Sequence, residues 1–143
     1  MDNKTKLAVD MFNGNMYCSQ AVLCAFCETY GMDFGTASRI SCGLNSGCRS
    51  AEICGAVSGA ILVIGLKYGG NKSLCNSKTE EFIKCFKDAN KSTVCRDILG
   101  CDISQPAGRE KAIKDNLFKT KCADIVKSAA QILVDLGYEN YSD

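Results

Sequence analysis

The sequence contains no histidine and no tryptophan, and Pro106 is its only proline. Without histidine the chain has no Ser-His-Asp triad, no Cys-His protease dyad and no histidine metal ligand. The C-x-x-C-H signature of covalent haem attachment is excluded for the same reason. Chemistry at a site of this protein must therefore come from other side chains, and sulfur is the first candidate.

An excess of charge of one sign is also missing. The chain has 17 basic and 16 acidic residues, and its lysines are scattered rather than clustered. We therefore expect no nucleic-acid partner. The most apolar run, residues 54–66 ("CGAVSGAILVIGL"), is shorter than the roughly 20 residues that span a bilayer, so we expect no membrane insertion. The first twelve residues show no apolar signal-peptide segment, so we expect a cytoplasmic protein.

Cysteine is abundant instead, with 11 in 143 residues. An odd number of cysteines without an export signal disfavours a disulfide scaffold and favours a reducing cytosol. For most of these cysteines, packing as a small buried hydrophobe is a sufficient role. Cys24 and Cys27 form a C-x-x-C motif, but they fall inside a predicted helix with no strand before it. This context does not fit a thioredoxin-like dithiol.

The apolar pattern is helical throughout, and no segment alternates as a strand does. We predict an all-α protein, a single-domain bundle over residues 1–143 with about six helices around a central helix that contains glycines. The predicted helical segments are residues 4–12, 17–30, 34–41, 51–68, 78–89 and 93–99, followed by a stretch from Pro106 to 136 that is continuous or broken near Asp115 and Asn116.

The segment 51–68 carries apolar residues on nearly every side, which is typical of a fully buried helix. Gly55, Ala56, Gly59 and Ala60 form a stripe of small residues along it. Glycine inside a helix costs up to about 1 kcal/mol relative to alanine. The stripe therefore predicts close helix packing, inside the chain or in a homodimer, or space for a bulky group.

Three cysteines lie near predicted helix starts, where free backbone N–H groups stabilise a thiolate or an anionic cluster. The expected pairs of cap and cysteine are Asn15 with Cys18, Ser50 with Cys54, and Ser92 with Cys95. A fourth cysteine, Cys122, is predicted in the middle of a helix, facing the core on a seam with Phe118, Ile125 and Ala129.

Four inward-facing cysteines from four helices form a tetrathiolate set, which binds an iron–sulfur cluster or zinc. Alternatively, two of the four cycle between dithiol and disulfide, with Cys54 and Cys95 as the low-pKa thiols. A third alternative is a structural zinc domain, or a cysteine-rich module that binds a partner protein. The sequence leaves these alternatives open.

The same residues resemble the C_GCAxxG_C_C family of redox-active proteins, named after its cysteine and glycine pattern. The resemblance rests on Cys18 in "MYCSQAVLCAF", on the CGAxxG element that runs from Cys54 to Gly59, on Cys95 in "STVCRDIL" and on Cys122 in "KTKCADIV". It covers nearly the whole chain, and the order of the motifs also fits.

The resemblance implies a small helical protein with four key cysteines and a redox role. A similar domain stands beside haem domains in some multihaem cytochromes, where an iron–sulfur centre is suspected. On this basis we expect an iron–sulfur cluster on Cys18, Cys54, Cys95 and Cys122, serving electron transfer or sensing with a partner protein. Gly55 and Gly59 are expected to leave space for it, and neighbouring N–H groups to tune its potential.

Overall fold

The computed structural model describes residues 2–141, and these residues form eight α-helices. The helices are α1 (Asn3–Asn13), α2 (Cys18–Phe26), α3 (Phe34–Ser41), α4 (Gly55–Tyr68), α5 (Lys72–Asn90), α6 (Cys95–Leu99), α7 (Pro106–Lys114) and α8 (Lys121–Asp135). Short 3-10 turns follow α2 at Cys27–Tyr30 and α3 at Cys42–Leu44. In the described part of the chain there are no strands, and the only β-bridge joins Ile53 to Val94.

The all-α prediction is confirmed, but the expected number of about six helices is wrong. One reason lies in the stretch that follows Pro106, which is divided into α7 and α8. Asn116 has a φ of +59° there, a left-handed conformation that ends a right-handed helix. The break considered near Asp115 and Asn116 is therefore present, and a helix stands on each side of it.

The start of α4 differs from the prediction. The helix begins at Gly55 and not at Ala51, because Ala51 has a φ of +55°. The extended bridge between Ile53 and Val94 then occupies the residues directly before the helix. The Cys54 N–H donates to the Thr93 carbonyl at 2.8 Å, which ties this extended segment to the start of α6.

Two helices form the centre of the main hydrophobic core. Most of α2 is buried, and so are seven residues of α4: Gly55, Ala56, Val57, Gly59, Ala60, Val63 and Ile64. The stripe of small residues lies inside the chain, because a Cβ added at Gly59 would be 2.6 Å from the Ser19 carbonyl oxygen of α2. Among residues 2–141, no helix has the length and apolar character needed to cross a membrane.

A second, smaller hydrophobic cluster lies beside the main core. Its buried residues are Ala51, Cys95, Leu99, Ile103 and Ala112. Leu117, Phe118, Cys101 and Cys122 pack against it while remaining partly exposed. Cys54 belongs to the main core, against which Cys18 packs, so the four predicted cysteines stand where the two clusters meet.

Candidate functional site

The four cysteines singled out from the sequence line one cavity. Cys18, Cys54, Cys95 and Cys122 all lie on the wall of a pocket of about 440 Å³. They come from four different helical segments that are far apart along the chain. The fold therefore brings together the residues that the sequence analysis grouped by pattern.

Each of these cysteines stands at the start of a helix. Cys18 is the first residue of α2, and Cys95 is the first residue of α6. Cys54 occupies the N-cap position of α4, and Cys122 is the second residue of α8. The expectation for Cys122 was wrong, since the turn around Asn116 moves the helix start to Lys121. Helix starts carry partial positive charge, so this arrangement favours anionic sulfur.

The three predicted caps are also wrong. Tyr17, Cys54 and Val94 occupy the N-cap positions of α2, α4 and α6, in place of Asn15, Ser50 and Ser92. Polar residues nearby in sequence instead shape the turns that precede these helices. Ser92 Oγ, for example, accepts a hydrogen bond from the Val94 N–H at 2.9 Å, one residue before α6 begins.

The four helices that begin at the cavity cysteines have no N-cap side chain that accepts from their first N–H groups. Asp2, Asp33 and Asn71, in contrast, cap α1, α3 and α5 by accepting from backbone N–H groups. Backbone N–H groups at the starts of α2 and α4 are directed at the Cys18 and Cys54 sulfur atoms. At the start of α6 the Cys95 N–H donates instead to the Glu52 carbonyl at 2.6 Å.

The segment before α4 supplies a further N–H group through an unusual backbone. Ser46, Cys48 and Arg49 have φ values of +54°, +57° and +62°. Non-glycine residues pay about 1–2 kcal/mol each for left-handed geometry. Arg49 steadies this left-handed turn by donating to the Asn45 side chain at 2.9 Å. The turn places the Ser46 N–H where it favours the Cys18 thiolate.

Gly55 leaves the space that Cys18 occupies. A Cβ added at Gly55 would be 2.5 Å from the Cys18 sulfur and 3.1 Å from the Leu44 carbonyl oxygen. Any larger residue here would displace the thiol from the cavity wall. The glycine of the CGA element is therefore explained by close approach to Cys18, whereas Gly59 is explained by packing against α2.

The pKa values of the four cavity thiols are raised, which favours the neutral form of each. Burial raises the pKa of Cys54, and the charge of a Cys18 thiolate raises it further. Burial and the charge of Cys18 raise the pKa of Cys95 to about 11 and the pKa of Cys122 to about 12. Burial also raises the pKa of Cys18, against the opposing effect of nearby N–H groups that include those of Ser19, Ser46 and Ala56.

The raised pKa values of Cys54 and Cys95 contradict the prediction that these two are low-pKa thiols. Burial outweighs the stabilisation that helix starts give to a thiolate, and four neighbouring sulfur atoms repel one another once ionised. The positive charge of Arg96 lowers the pKa of Cys95, but burial and the neighbouring cysteines outweigh it. A positively charged core of metal ions would supply more positive charge, and metal coordination deprotonates a thiol outright.

The chemistry of the donors suits such a group. Four thiols line the cavity, beside the space left by Gly55. Cysteine thiolates are ligands both of iron–sulfur clusters and of zinc. In residues 2–141, no group of three or more cysteine, aspartate or glutamate side chains is already arranged around one metal position.

Other cysteines stay outside the cavity. Cys24 and Cys27 are buried in the main core, where the Cys27 thiol donates to the Cys24 carbonyl at 3.5 Å. Cys101 does not line the cavity, yet it lies near enough for its charge to raise the pKa of Cys95 and Cys122. None of the eleven cysteines, all of them in the described range, is joined in a disulfide.

Sequence reasoning missed several residues of the cavity wall. Asn45 and Ser46 reach it from the left-handed turn, and Arg109 and Lys119 reach it from α7 and from the turn before α8. Their spacing from the cysteines follows no pattern that a sequence motif contains. Nothing in the sequence separates Arg109 and Lys119 from the other basic residues, which are scattered along the chain.

Comparison with known protein families gives one match, over residues 16–136, to the family described as "Putative redox-active protein (C_GCAxxG_C_C)". Searches among curated proteins and among solved structures give no match. The matched region contains all four cavity cysteines and extends over most of the chain. This protein therefore belongs to the C_GCAxxG_C_C family of redox-active proteins.

Proposed function

We propose that this protein holds an iron–sulfur cluster on Cys18, Cys54, Cys95 and Cys122 and uses it for electron transfer or redox sensing. The observation that carries the proposal is the convergence of four helix starts, each bearing a cysteine, on one cavity. Cysteine thiolates are the usual ligands of such clusters, and a bound cluster supplies one-electron chemistry.

The residues around the cavity have roles that follow from this arrangement. The N–H groups near Cys18 and Cys54 stabilise anionic sulfur, and hydrogen bonds to sulfur adjust the potential of a cluster. Gly55 leaves room beside Cys18, and burial keeps bulk water from Cys54 and Cys95. A function in electron transfer also requires a donor or acceptor protein, which we expect to dock near the open side of the cavity.

The alternative of a dithiol–disulfide pair at Cys54 and Cys95 finds less support. A thiol that attacks a disulfide must be ionised, and the pKa of both thiols is raised by burial in the metal-free protein. A structural zinc site would use the same four thiols, so the metal content of the protein distinguishes it from a cluster. Both alternatives remain outcomes of the test.

The test is anaerobic purification followed by a visible absorption spectrum and assays for iron, acid-labile sulfide and zinc. A brown protein with iron and sulfide in similar amounts supports the proposal. A colourless protein without metal, or one with stoichiometric zinc, contradicts it.

Single substitutions assign the ligands. Serine at each of Cys18, Cys54, Cys95 and Cys122 is expected to remove most of the iron, since each thiol lines the cavity. Cys85→Ser on α5 is the matched control, because this partly exposed cysteine lies outside the cavity. If Cys85→Ser loses as much iron as the four variants, the assignment of the site is wrong.

A further inference from the structure

We propose that the mouth of the four-cysteine cavity binds a small organic anion, whose negative group is held by Arg109 and Lys119. The proposal goes beyond the redox centre, because it concerns the outer part of the cavity. It also holds whichever group the cysteines carry.

The cavity opens from a buried end to an exposed one. Cys54, Gly55 and Cys95 are buried, whereas Tyr17 and Lys119 on the same wall are exposed. The wall therefore includes an outer part, away from the buried sulfur atoms, that a molecule from solvent can enter. The volume of about 440 Å³ is that of the whole cavity, which the sulfur-lined end and this outer part share.

The charge of this wall has one sign. Arg109 and Lys119 are its charged residues apart from the thiols, and no described aspartate or glutamate contributes to it. Neither cation forms an ion pair with a carboxylate of residues 2–141, whereas Arg96 pairs with Glu52 at 2.6 Å elsewhere on the surface. The two cations are therefore available to a ligand of opposite charge.

Arg109 is held in a position that suits a carboxylate or phosphate. Its guanidinium group lies over the Phe118 ring, 5.3 Å from the ring centroid. It makes one long hydrogen bond, from Nη1 to the Ile103 carbonyl at 3.5 Å. Stacking fixes the plane of the group and leaves N–H donors at its edge, and this planar fork matches the paired oxygens of a carboxylate.

The remaining wall indicates an organic anion and not a bare inorganic one. Phe12, Met16 and Tyr17 bring apolar surface from the α1–α2 turn, and Asn13 and Asn15 add side-chain amides. A few polar groups set in a largely apolar wall are typical of sites for small organic molecules. The chemistry therefore favours a carboxylate with an aromatic or branched apolar body.

The experiment measures binding of benzoate by calorimetry at low ionic strength, under anaerobic conditions, to the full chain as purified. Benzamide, which has the same shape without the charge, and inorganic phosphate are the comparison probes. Benzoate is expected to bind saturably, and benzamide about tenfold more weakly or worse. Phosphate is expected to bind more weakly than benzoate, because it leaves the apolar wall uncovered.

Substitutions connect binding to the two cations. The double variant R109Q/K119Q is expected to lose about tenfold or more in benzoate affinity, and Lys114→Gln, an exposed residue of α7 outside the cavity, is the matched control. Circular dichroism verifies that each variant is folded. Benzoate binding that is absent in the wild type, equal for benzamide, or unchanged in R109Q/K119Q overturns the proposal.

One outcome would assign the cations a different role. If R109Q/K119Q shifts the reduction potential of the protein but leaves benzoate affinity unchanged, the two residues only balance the charge of the redox centre, and the anion site is overturned. Iron and sulfide are assayed on the same samples. A metal-free protein that still binds benzoate would contradict the proposed cluster and not the anion site.

Discussion

At the scale of single residues, Gly55 shows how little space separates the Cys18 thiol from the backbone of α4. The only atoms that a Cβ at this position would crowd severely belong to the Cys18 side chain, whose sulfur can rotate away. A substitution here is therefore expected to displace a thiol more than to unfold the protein. Gly65, in the same helix, has nothing within 4 Å of an added Cβ.

Gly55→Ala is predicted to lower the iron and sulfide content to less than half of that of the wild type. Its free energy of unfolding in the metal-free state should change by less than about 1.5 kcal/mol, because the severe contact is with the Cys18 side chain and the Leu44 carbonyl oxygen, at 3.1 Å, has to shift only slightly. Gly65→Ala, the control, should keep the wild-type iron content. Equal iron content in the two variants would contradict this role of Gly55.

The raised pKa values of the cavity thiols give a second prediction at this scale. The folded metal-free protein prefers the neutral thiols, since the pKa of Cys95 is raised to about 11 and that of Cys122 to about 12, from an ordinary 9.0. The stability that this preference contributes to the folded protein is fully present below about pH 9. It is lost as the pH rises through 9 towards 11–12, because the unfolded chain releases its protons first.

Urea unfolding of the metal-free, reduced protein between pH 7.5 and 10.5 measures this effect. The free energy of unfolding should fall with pH above about 9, and Cys122→Ala should reduce the slope, since one titrating thiol is removed. Cys85→Ala, outside the cavity, serves as the control for loss of a thiol. A slope that Cys122→Ala leaves unchanged would show that this thiol does not titrate as expected.

At the scale of helices, α2 and α4 are joined by a backbone contact. The Ser19 carbonyl oxygen of α2 would lie 2.6 Å from a Cβ at Gly59, and the Val22 Cβ would lie 3.3 Å from it. A backbone atom of a buried helix has no free space to move into. The spacing of these two helices, and with it the separation of Cys18 from Cys54, therefore depends on Gly59.

Gly59→Ala is predicted to lower the free energy of unfolding of the metal-free protein by about 1–3 kcal/mol, through overpacking between α2 and α4. Chemical denaturation of Gly59→Ala and of the control Gly65→Ala measures the difference. Gly65→Ala should leave the free energy of unfolding unchanged or raise it by up to about 1 kcal/mol. The stability of Gly59→Ala should fall even without metal, which distinguishes it from Gly55→Ala. Wild-type stability in Gly59→Ala would show that the two helices can separate without cost.

At the scale of the whole molecule, the cavity joins two hydrophobic clusters of unequal size. Cys54 lies in the larger cluster and Cys18 packs against it, whereas Cys95 lies in the smaller cluster and Cys122 packs against that one. The smaller cluster buries few residues, and Ala112 is the only buried residue of α7. A group bound by all four thiols would fasten residues 95–120 to the main core.

Removal of the metal is therefore predicted to act locally. Amide hydrogen exchange measured with and without the bound group should show faster exchange in residues 95–120, while the buried parts of α2 and α4 keep most of their protection. The comparison requires a chelated sample in which all thiols are kept reduced. Uniform loss of protection along the chain would indicate instead that the two clusters unfold as one unit.

Several features of this protein were predictable because they depend on local sequence. Helical periodicity predicted the all-α class, and the apolar segment 54–66 predicted a fully buried helix, which the structure shows as the core helix α4 with seven of its 14 residues buried. Cys18, Cys54, Cys95 and Cys122 were chosen by their proximity to helix starts, their inward faces and their order. The family match then confirmed the resemblance based on that order.

Helix boundaries near the site were not predictable in the same way. Ser50 looked like a cap, but the left-handed turn at Ser46, Cys48 and Arg49 moves the start of α4 to Gly55. Such a backbone conformation is locally unfavourable for these residue types, so their sequence gives no signal of it. It is held by tertiary contacts, among them the hydrogen bond from the Cys95 N–H to the Glu52 carbonyl at 2.6 Å.

The sequence by itself determined the helical class, the buried glycine-containing helix and the set of four cysteines, because periodicity, polarity and spacing are properties of neighbouring residues. Only the tertiary structure decided that the four thiols line one cavity, that burial raises their pKa, and that Arg109 and Lys119 line the same cavity. These properties arise between residues that are distant along the chain, where desolvation and charge depend on what the fold places around each group.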